Sequence, residues 1–424
     1  RFKFLTDLKF RATWGQLGNS GIPNYAYISQ FVPGSNYNGN SGVSQQNPQL
    51  NDLRWETIEN TNLAMDLDLF NGRFTATVEV YNKITRDLLY WLVVPSSSGI
   101  TGVVVPGSPA GSILTNLGNI RNRGIEAEFS YEVIREKKPG DWGLNVSFNI
   151  GHNENRVTSL PGGTLKNANA FAGFGSQIKQ GDALGTYYGL IFKGVYATDA
   201  DAVVRDSKGN VVYNLDGVTP RKMRLNSETG DTLRGGDAMY EDFNHDGIIN
   251  DQDRVLIGNA NPDFFGGMNT ELRYKSFVLG LFVQFYSGND VINGMRYALE
   301  KMDNNDNQAI TTLQRWRKQG DITNMPRALN GNNRNSQGST RWVEDGSYVR
   351  LKFISLSYRF PRNIIQRLRL KGLDAFFTVS DLFTFTNYTG ADPEITLSPF
   401  GNDPAFIGVD RGLNPRSPGY TLGI

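Results

Sequence analysis

The chain has no cysteine, two histidines, no excess of charge of either sign and no long apolar run. Without cysteine there is no disulfide framework and no thiolate to act as nucleophile or metal ligand. With only His152 and His245, histidine-based catalysis is not expected, and no enzyme constellation stands out. Lysine plus arginine (43) balances aspartate plus glutamate (42), leaving a net charge of +1. That balance gives no reason to expect nucleic acid as a partner. No segment approaches the roughly 20 apolar residues of a membrane helix, which excludes helical spans but not a β-barrel. The first residue is Arg1, with neither Met nor an apolar leader. The expectation is a processed chain or an interior piece of a longer protein.

What is present is glycine (47 residues), aromatics (12%) and alternation. At 424 residues the chain could form two or three ordinary domains or one large all-β domain. In Arg73–Lys83, Phe74, Ala76, Val78 and Val80 oppose Thr75, Thr77, Glu79 and Tyr81. In Ile125–Val133, Ile125, Ala127, Phe129 and Tyr131 oppose Glu126, Glu128, Ser130 and Glu132. Asn62–Phe70 and Leu144–Ile150 alternate as cleanly. Leu5–Gly15, Gly266–Tyr274, Phe277–Ser287, Ser347–Phe360, Gly372–Leu382 and Pro418–Ile424 do so less regularly. This is the two-residue period of strands with one apolar and one polar face, about ten of them. Many reach the ~9–11 residues that cross hydrocarbon when tilted. Aromatics near strand ends (Phe10, Trp14, Tyr81, Trp142, Tyr274, Phe285, Tyr286, Tyr358, Phe360) suit interfacial girdles. Soluble sheet would also place aromatics in strands.

The connections favour the membrane. Asn71-Gly72 predicts a two-residue type I′ hairpin, and Lys137–Asp141 and Lys275-Ser276 are short. Pro361–Lys371 is somewhat longer. Between these lie Gln16–Asn60, Arg86–Arg123, His152–Phe264, Gly288–Gly346 and Thr384–Ser417, all long and polar. Short turns on one side and long loops on the other predict an all-β, transmembrane antiparallel β-barrel with extracellular loops. Because the chain opens and ends in strands, only part of the barrel is expected.

One loop carries possible metal chemistry. Within Asp242–Asp253, Asp242, Asn244, Asp246, Asn250 and Asp253 offer side-chain oxygens, Ile248 a carbonyl, and Gly247 the sharp turn. The spacing is that of a calcium loop, with Asp in place of the usual closing Glu. An Asx-rich turn bonded to itself would have the same composition. Calcium suits the donor set better than magnesium, in a bracing role. Val255-Leu256-Ile257 reads as extended, so no flanking helix is expected. Loop aromatics Tyr25, Tyr27, Phe31, Tyr37, Tyr187 and Tyr188 suit sugar rings or a protein interface, or pack on themselves. Carboxylates on strand faces could imitate a glycosidase pair, but a polar lumen accounts for them more simply.

Several segments, in order along the whole chain, resemble one family. They are Leu8-Lys9-Phe10-Arg11-Ala12-Thr13-Trp14-Gly15, Arg54-Trp55-Glu56, Tyr81-Asn82-Lys83 and Asn122-Arg123-Gly124-Ile125-Glu126. Asp242–Asp253, Asn261-Pro262-Asp263-Phe264, Ser347-Tyr348-Val349-Arg350-Leu351-Lys352 and Asp392-Pro393-Glu394 complete the set. The pattern is similar to the C-terminal barrel region of SusC/RagA-like TonB-dependent outer-membrane transporters. The resemblance implies about ten strands of a barrel of about 22, plugged by an N-terminal domain. It implies a SusD-like surface lipoprotein as lid, energy from the TonB complex through the missing N-terminal part, and import of oligosaccharides or peptides. The aromatics above would then meet ligand or lid. Asp199–Gly236 departs from the pattern as an insertion. Two other readings stay open: a soluble secreted calcium-dependent carbohydrate-binding β-protein, and a non-transporting barrel subunit of an outer-membrane assembly.

Overall fold

A computed structural model describes residues 4–100, 111–395, 407–412 and 414–424. Its frame is one ten-stranded antiparallel sheet in which sequence neighbours are also spatial neighbours. The strands are β1 (Leu5–Asn19), β2 (Glu56–Leu69), β3 (Phe74–Arg86), β4 (Asn119–Ile134) and β5 (Gly143–Ser159). Then come β6 (Phe264–Tyr274), β7 (Phe277–Ser287), β8 (Tyr348–Arg359), β9 (Asp374–Thr386) and β10 (Gly419–Gly423). Each matches one of the ten alternating segments. Most run longer than the alternation suggested, mainly toward the long loops.

Register makes one face continuous. Phe10, Met65, Val78, Ala127 and Ile150 follow one another across β1 to β5. Gly266, Phe285, Val349 and Phe385 carry the same face across β6 to β9. Many of these side chains are exposed: Leu63 by 55%, Ile125 by 46%. A face of apolar side chains ten strands wide is the lipid-facing surface of a barrel wall. At its short-turn end Trp142 stacks on Tyr274 with centroids 4.1 Å apart, and Phe277 leans on Tyr358 at 4.7 Å. These form one aromatic girdle. Tyr81 and Tyr286, expected in a girdle, lie instead on the polar face, because each falls one residue out of phase with its apolar neighbours.

The connections alternate as expected, with two differences. The hairpin at Asn71-Gly72 is a four-residue link with Phe70, Asn71 and Gly72 all at positive φ (55°, 58°, 76°). The link from β8 to β9 contains a short helix, Arg362–Arg367. The long loops are folded, not irregular. They hold seven small sheets among the described residues. Three apolar clusters lie in them and in the strand ends beneath. The Asp199–Gly236 segment supplies Ala202, Val204, Met223, Leu225 and Leu233 to one of these cores. Of the connections Arg86–Arg123 and Thr384–Ser417, residues 101–110, 396–406 and 413 lie outside the described residues.

Candidate functional site

The polar face of the wall and the folded loops above it enclose the groups able to meet a solute. On the wall, Arg11 donates twice to Asp66 (2.7 and 2.9 Å), and Thr77 also donates to Asp66 (3.1 Å). Glu79 and Glu126 stand directly opposite each other, and Glu128 lies opposite Thr77. Together with Asn149 and Phe265 they border a hollow of about 390 Å³. Beside it runs an aromatic stripe: Phe265 stacks on Tyr286 (5.9 Å) and Tyr286 on Tyr348 (5.4 Å). The Arg350 guanidinium closes the stripe, 5.3 Å from the Tyr348 ring. Tyr348 is buried and backs the stripe, while the half-buried Phe265 and Tyr286, beside carboxylates and amides, form a surface on which sugars or peptide planes can bond.

Arg350 also holds a loop in place. The guanidinium is 2% exposed and donates to Asp392 (2.5 Å), Glu394 (2.7 Å) and Thr384 (2.8 Å). Lys352, the extra residue of a β8 bulge, reaches the same Glu394 at 2.8 Å. Arg416 bonds Glu394 at 3.0 Å. A bulge re-aims side chains locally, and here it adds a second cation beside the first. Burial alone would raise the Asp392 carboxyl. The Arg350 hydrogen bond and the Glu394 and Arg416 N–H groups outweigh it and hold it below the usual carboxylate range. The sequence showed both halves, Arg350-Leu351-Lys352 and Asp392-Pro393-Glu394, only as separate family segments. Their opposite charges were the signal that could have joined them.

The Asp242–Asp253 loop is wound as its spacing predicts. Gly247 has φ 79°, and a Cβ there would strike Val204 at 2.4 Å. Gly247 N donates to Asp242 Oδ2 (2.8 Å), and Ile248 N to Asp246 Oδ1 (2.7 Å). Asp253 is fully buried and accepts from Phe243 N and Asn250 N, closing the ring. Asn250 caps the turn Asp251–Asp253. Asn244 Nδ2 is bonded to Asp246 and Gln252. Most of the candidate metal oxygens are therefore engaged by the loop's own N–H groups. No group of three acidic or histidine side chains converges as a metal cluster among the described residues. One atom departs from this: Asp242 Oδ1 is buried without a hydrogen-bond partner. Burial pushes the Asp242 carboxyl up, and Asp253 and Asp246 push the same way. The next segment, Val255–Asn259, is a strand, as expected, and pairs with Thr186–Gly189.

The aromatics divide. Tyr25, Tyr27, Phe31 and Tyr37 are exposed by 69%, 58%, 62% and 85%. Tyr187 is a core residue: its hydroxyl donates to the carbonyls of Ile407 (2.8 Å) and Gly408 (3.0 Å), so it offers no face to a ligand. Tyr188 is half-buried and bonds Asp182. Tyr187 departs from the expectation because its loop has a core of its own. His245 is exposed at φ 57° in the metal-like loop. His152 sits within β5, with Nδ1 2.6 Å from the Asp263 carbonyl oxygen.

A wide antiparallel wall, apolar outside, polar inside and capped by long folded loops on one side, defines an outer-membrane barrel. The family model described as "TonB dependent receptor-like, beta-barrel" matches residues 1–222, and the chain belongs to that family. TonB-dependent receptor P3 of Formosa agariphila is 29% identical over 99% of this chain and 39% of its own length. TonB-dependent receptor SusC of Bacteroides thetaiotaomicron is 23% identical over 99% of this chain and 37% of its own length. The structure of the RagAB peptide transporter covers 100% of this chain and 41% of its own, with a TM-score of 0.73 at 21% identity. The chain thus spans about two fifths of the relatives it matches. Its place is the outer membrane.

Proposed function

We propose that the chain is the C-terminal arc of a TonB-dependent import barrel. The carrying observation is the polar wall, with its stacked Phe265 and Tyr286 and its carboxylate hollow, on the reverse of a lipid-facing surface ten strands wide. The share of each relative that the chain covers supports further strands and a plug elsewhere in the full-length protein. The solute class is oligosaccharide or peptide. The partners are a SusD-like lipoprotein, offered the exposed Tyr25, Tyr27, Phe31 and Tyr37, and the TonB complex. The test uses a strain lacking the full-length gene, grown on defined oligosaccharides or peptides as sole carbon source. Loss of growth on one class, mimicked by deleting TonB, is expected. Unchanged growth and uptake on every substrate would favour a non-transporting barrel subunit.

Calcium in the Asp242–Asp253 loop belongs to the same reading. Asp242 Oδ1 lacks a partner, and three like charges repel one another there. A divalent cation would supply the missing partner and brace the loop. Calcium should raise the thermal midpoint of the wild type and leave Asp246→Ala unmoved, with a larger effect at pH 7 than at pH 4.5, since burial makes the Asp242 carboxyl take up a proton more readily as pH falls. Identical melting with calcium and with chelator at both pH values would sink it.

A further inference from the structure

The lipid-facing surface ends in arginines. Along β4, Phe129, Ala127 and Ile125 share the apolar face, and Arg123 and Arg121 continue it toward the long loops. Along β5 the same face runs Phe148, Ile150, His152, Glu154, Arg156. Register sets Arg123 opposite Glu154, and Arg121 opposite Arg156. The first pair is satisfied: Arg123 Nε donates to Glu154 Oε2 at 2.7 Å. The second is a cross-strand pair of like charges, which is destabilising if nothing lies between. Arg121 Nε is buried without a hydrogen-bond partner. Arg156 Nε reaches a neutral acceptor, the Gly181 carbonyl oxygen, at 2.9 Å. Neither arginine forms an ion pair among the described residues, and the carboxylate within their electrostatic reach, Glu154, is already held by Arg123. Next to them Asn82, Arg123, Ile125, His152 and Glu154 border a hollow of about 430 Å³. Ile125 lies at its lipid side, and the Arg123–Glu154 pair separates it from Arg121 and Arg156 above.

These groups sit on the outside of the wall, so the missing anion is not a solute in the lumen. An anion tethered to hydrocarbon fits: chains against Ile125 and Ile150, and a charged head at the arginines. A phosphate offers several acceptor oxygens to planar guanidinium forks. We propose that Arg121 and Arg156 hold a lipid-borne phosphate of the outer leaflet, fixing this sector of the wall at the membrane surface.

The inference rests on the outer-membrane placement. Full-length protein that stays folded and monomeric without detergent would overturn that placement itself. For the site, the full-length protein in neutral detergent is titrated with dioctanoyl phosphatidic acid, dioctanoylglycerol or inorganic phosphate, followed by tryptophan fluorescence. Saturable binding is expected for phosphatidic acid only. Near a charged lipid surface each arginine contributes about fivefold in affinity, so Arg121→Gln with Arg156→Gln should weaken binding ~25-fold. Arg121→Lys should fall between wild type and Arg121→Gln, since an ammonium keeps the charge but not the fork. The single, exposed Arg156→Gln, expected to lose about fivefold, serves if the double variant does not fold. The proposal is overturned if these variants bind phosphatidic acid within about twofold of wild type, below the effect of one such charge. It is also overturned if inorganic phosphate binds as well as the lipid, which would make the site one for a free anion.

Discussion

The wall and the cap of folded loops are built from one chain but against two solvents. In the wall, large apolar side chains are exposed, Phe10 by 72% and Leu63 by 55%, and they face lipid. In the cap, large apolar side chains are buried as in a water-soluble domain: Trp342 is 0% exposed and Leu190 1%. The wall is held by ladder hydrogen bonds between neighbours in sequence. The cap is held by packing and polar bonds between residues far apart. The same exposed phenylalanine thus means opposite things in the two regions, and the two should fail independently.

The sharpest way to break the cap alone is Trp342→Ala. It should cost about 3–5 kcal/mol of cap stability, read as faster proteolysis of the loops, while the heat-modifiable gel shift of the barrel stays intact. Arg350→Ala crosses the boundary, since it takes from Asp392 its guanidinium partner and leaves Glu394 to Lys352 and Arg416. A loss of about 3–5 kcal/mol is expected, read as release of the 387–395 segment to protease. Phe148→Arg attacks the wall alone. Phe148 lies midway along the lipid face of β5, between Phe129 and Met268, and a charge there costs about 2–4 kcal/mol of insertion. Assembly into vesicles should fall while a cap epitope, once folded, is unchanged. Tyr187→Phe removes a hydroxyl bonded to two carbonyls and should cost about 1–3 kcal/mol in the cap. Smallest is a pH effect. The Asp392 carboxyl is depressed, so its stabilisation is complete above the ordinary carboxylate value of about 4 and fades as pH falls through the lowered one. Acid release of the 387–395 segment in the wild type, with no such step in Arg350→Ala, is the expected pattern.

The ten strands were legible because lipid on one side and water on the other write a two-residue period into the sequence. Their upper ends were not. In Glu56–Thr61 and His152–Ser159 the strand has risen above the lipid, and both faces carry polar residues. The cap left no period at all. Its strands are two to eight residues long, and its cores join Leu190 to Ile249, or Phe174 to Trp342 and Val409. That is why Tyr187 read as a loop aromatic with a face to spare. The Asp242–Asp253 loop was legible because its spacing is local. The Arg350 network was not, because its partners Asp392 and Glu394 stand 42 and 44 residues further along, in the connection after β9.

Tyr187 has a temporal consequence. Its hydroxyl bonds carbonyls 220 and 221 residues further along the chain, and Ile292 pairs in parallel with Val409. The cap therefore cannot close on its own early segments. Its centre stays open until the stretch just before the final strand has arrived, and contacts across such separations form late. Completion of the cap is thus a built-in report that the chain has been threaded as far as residues 407–409, and a barrel stalled during assembly would show itself at the cell surface by an unclosed, protease-sensitive crown.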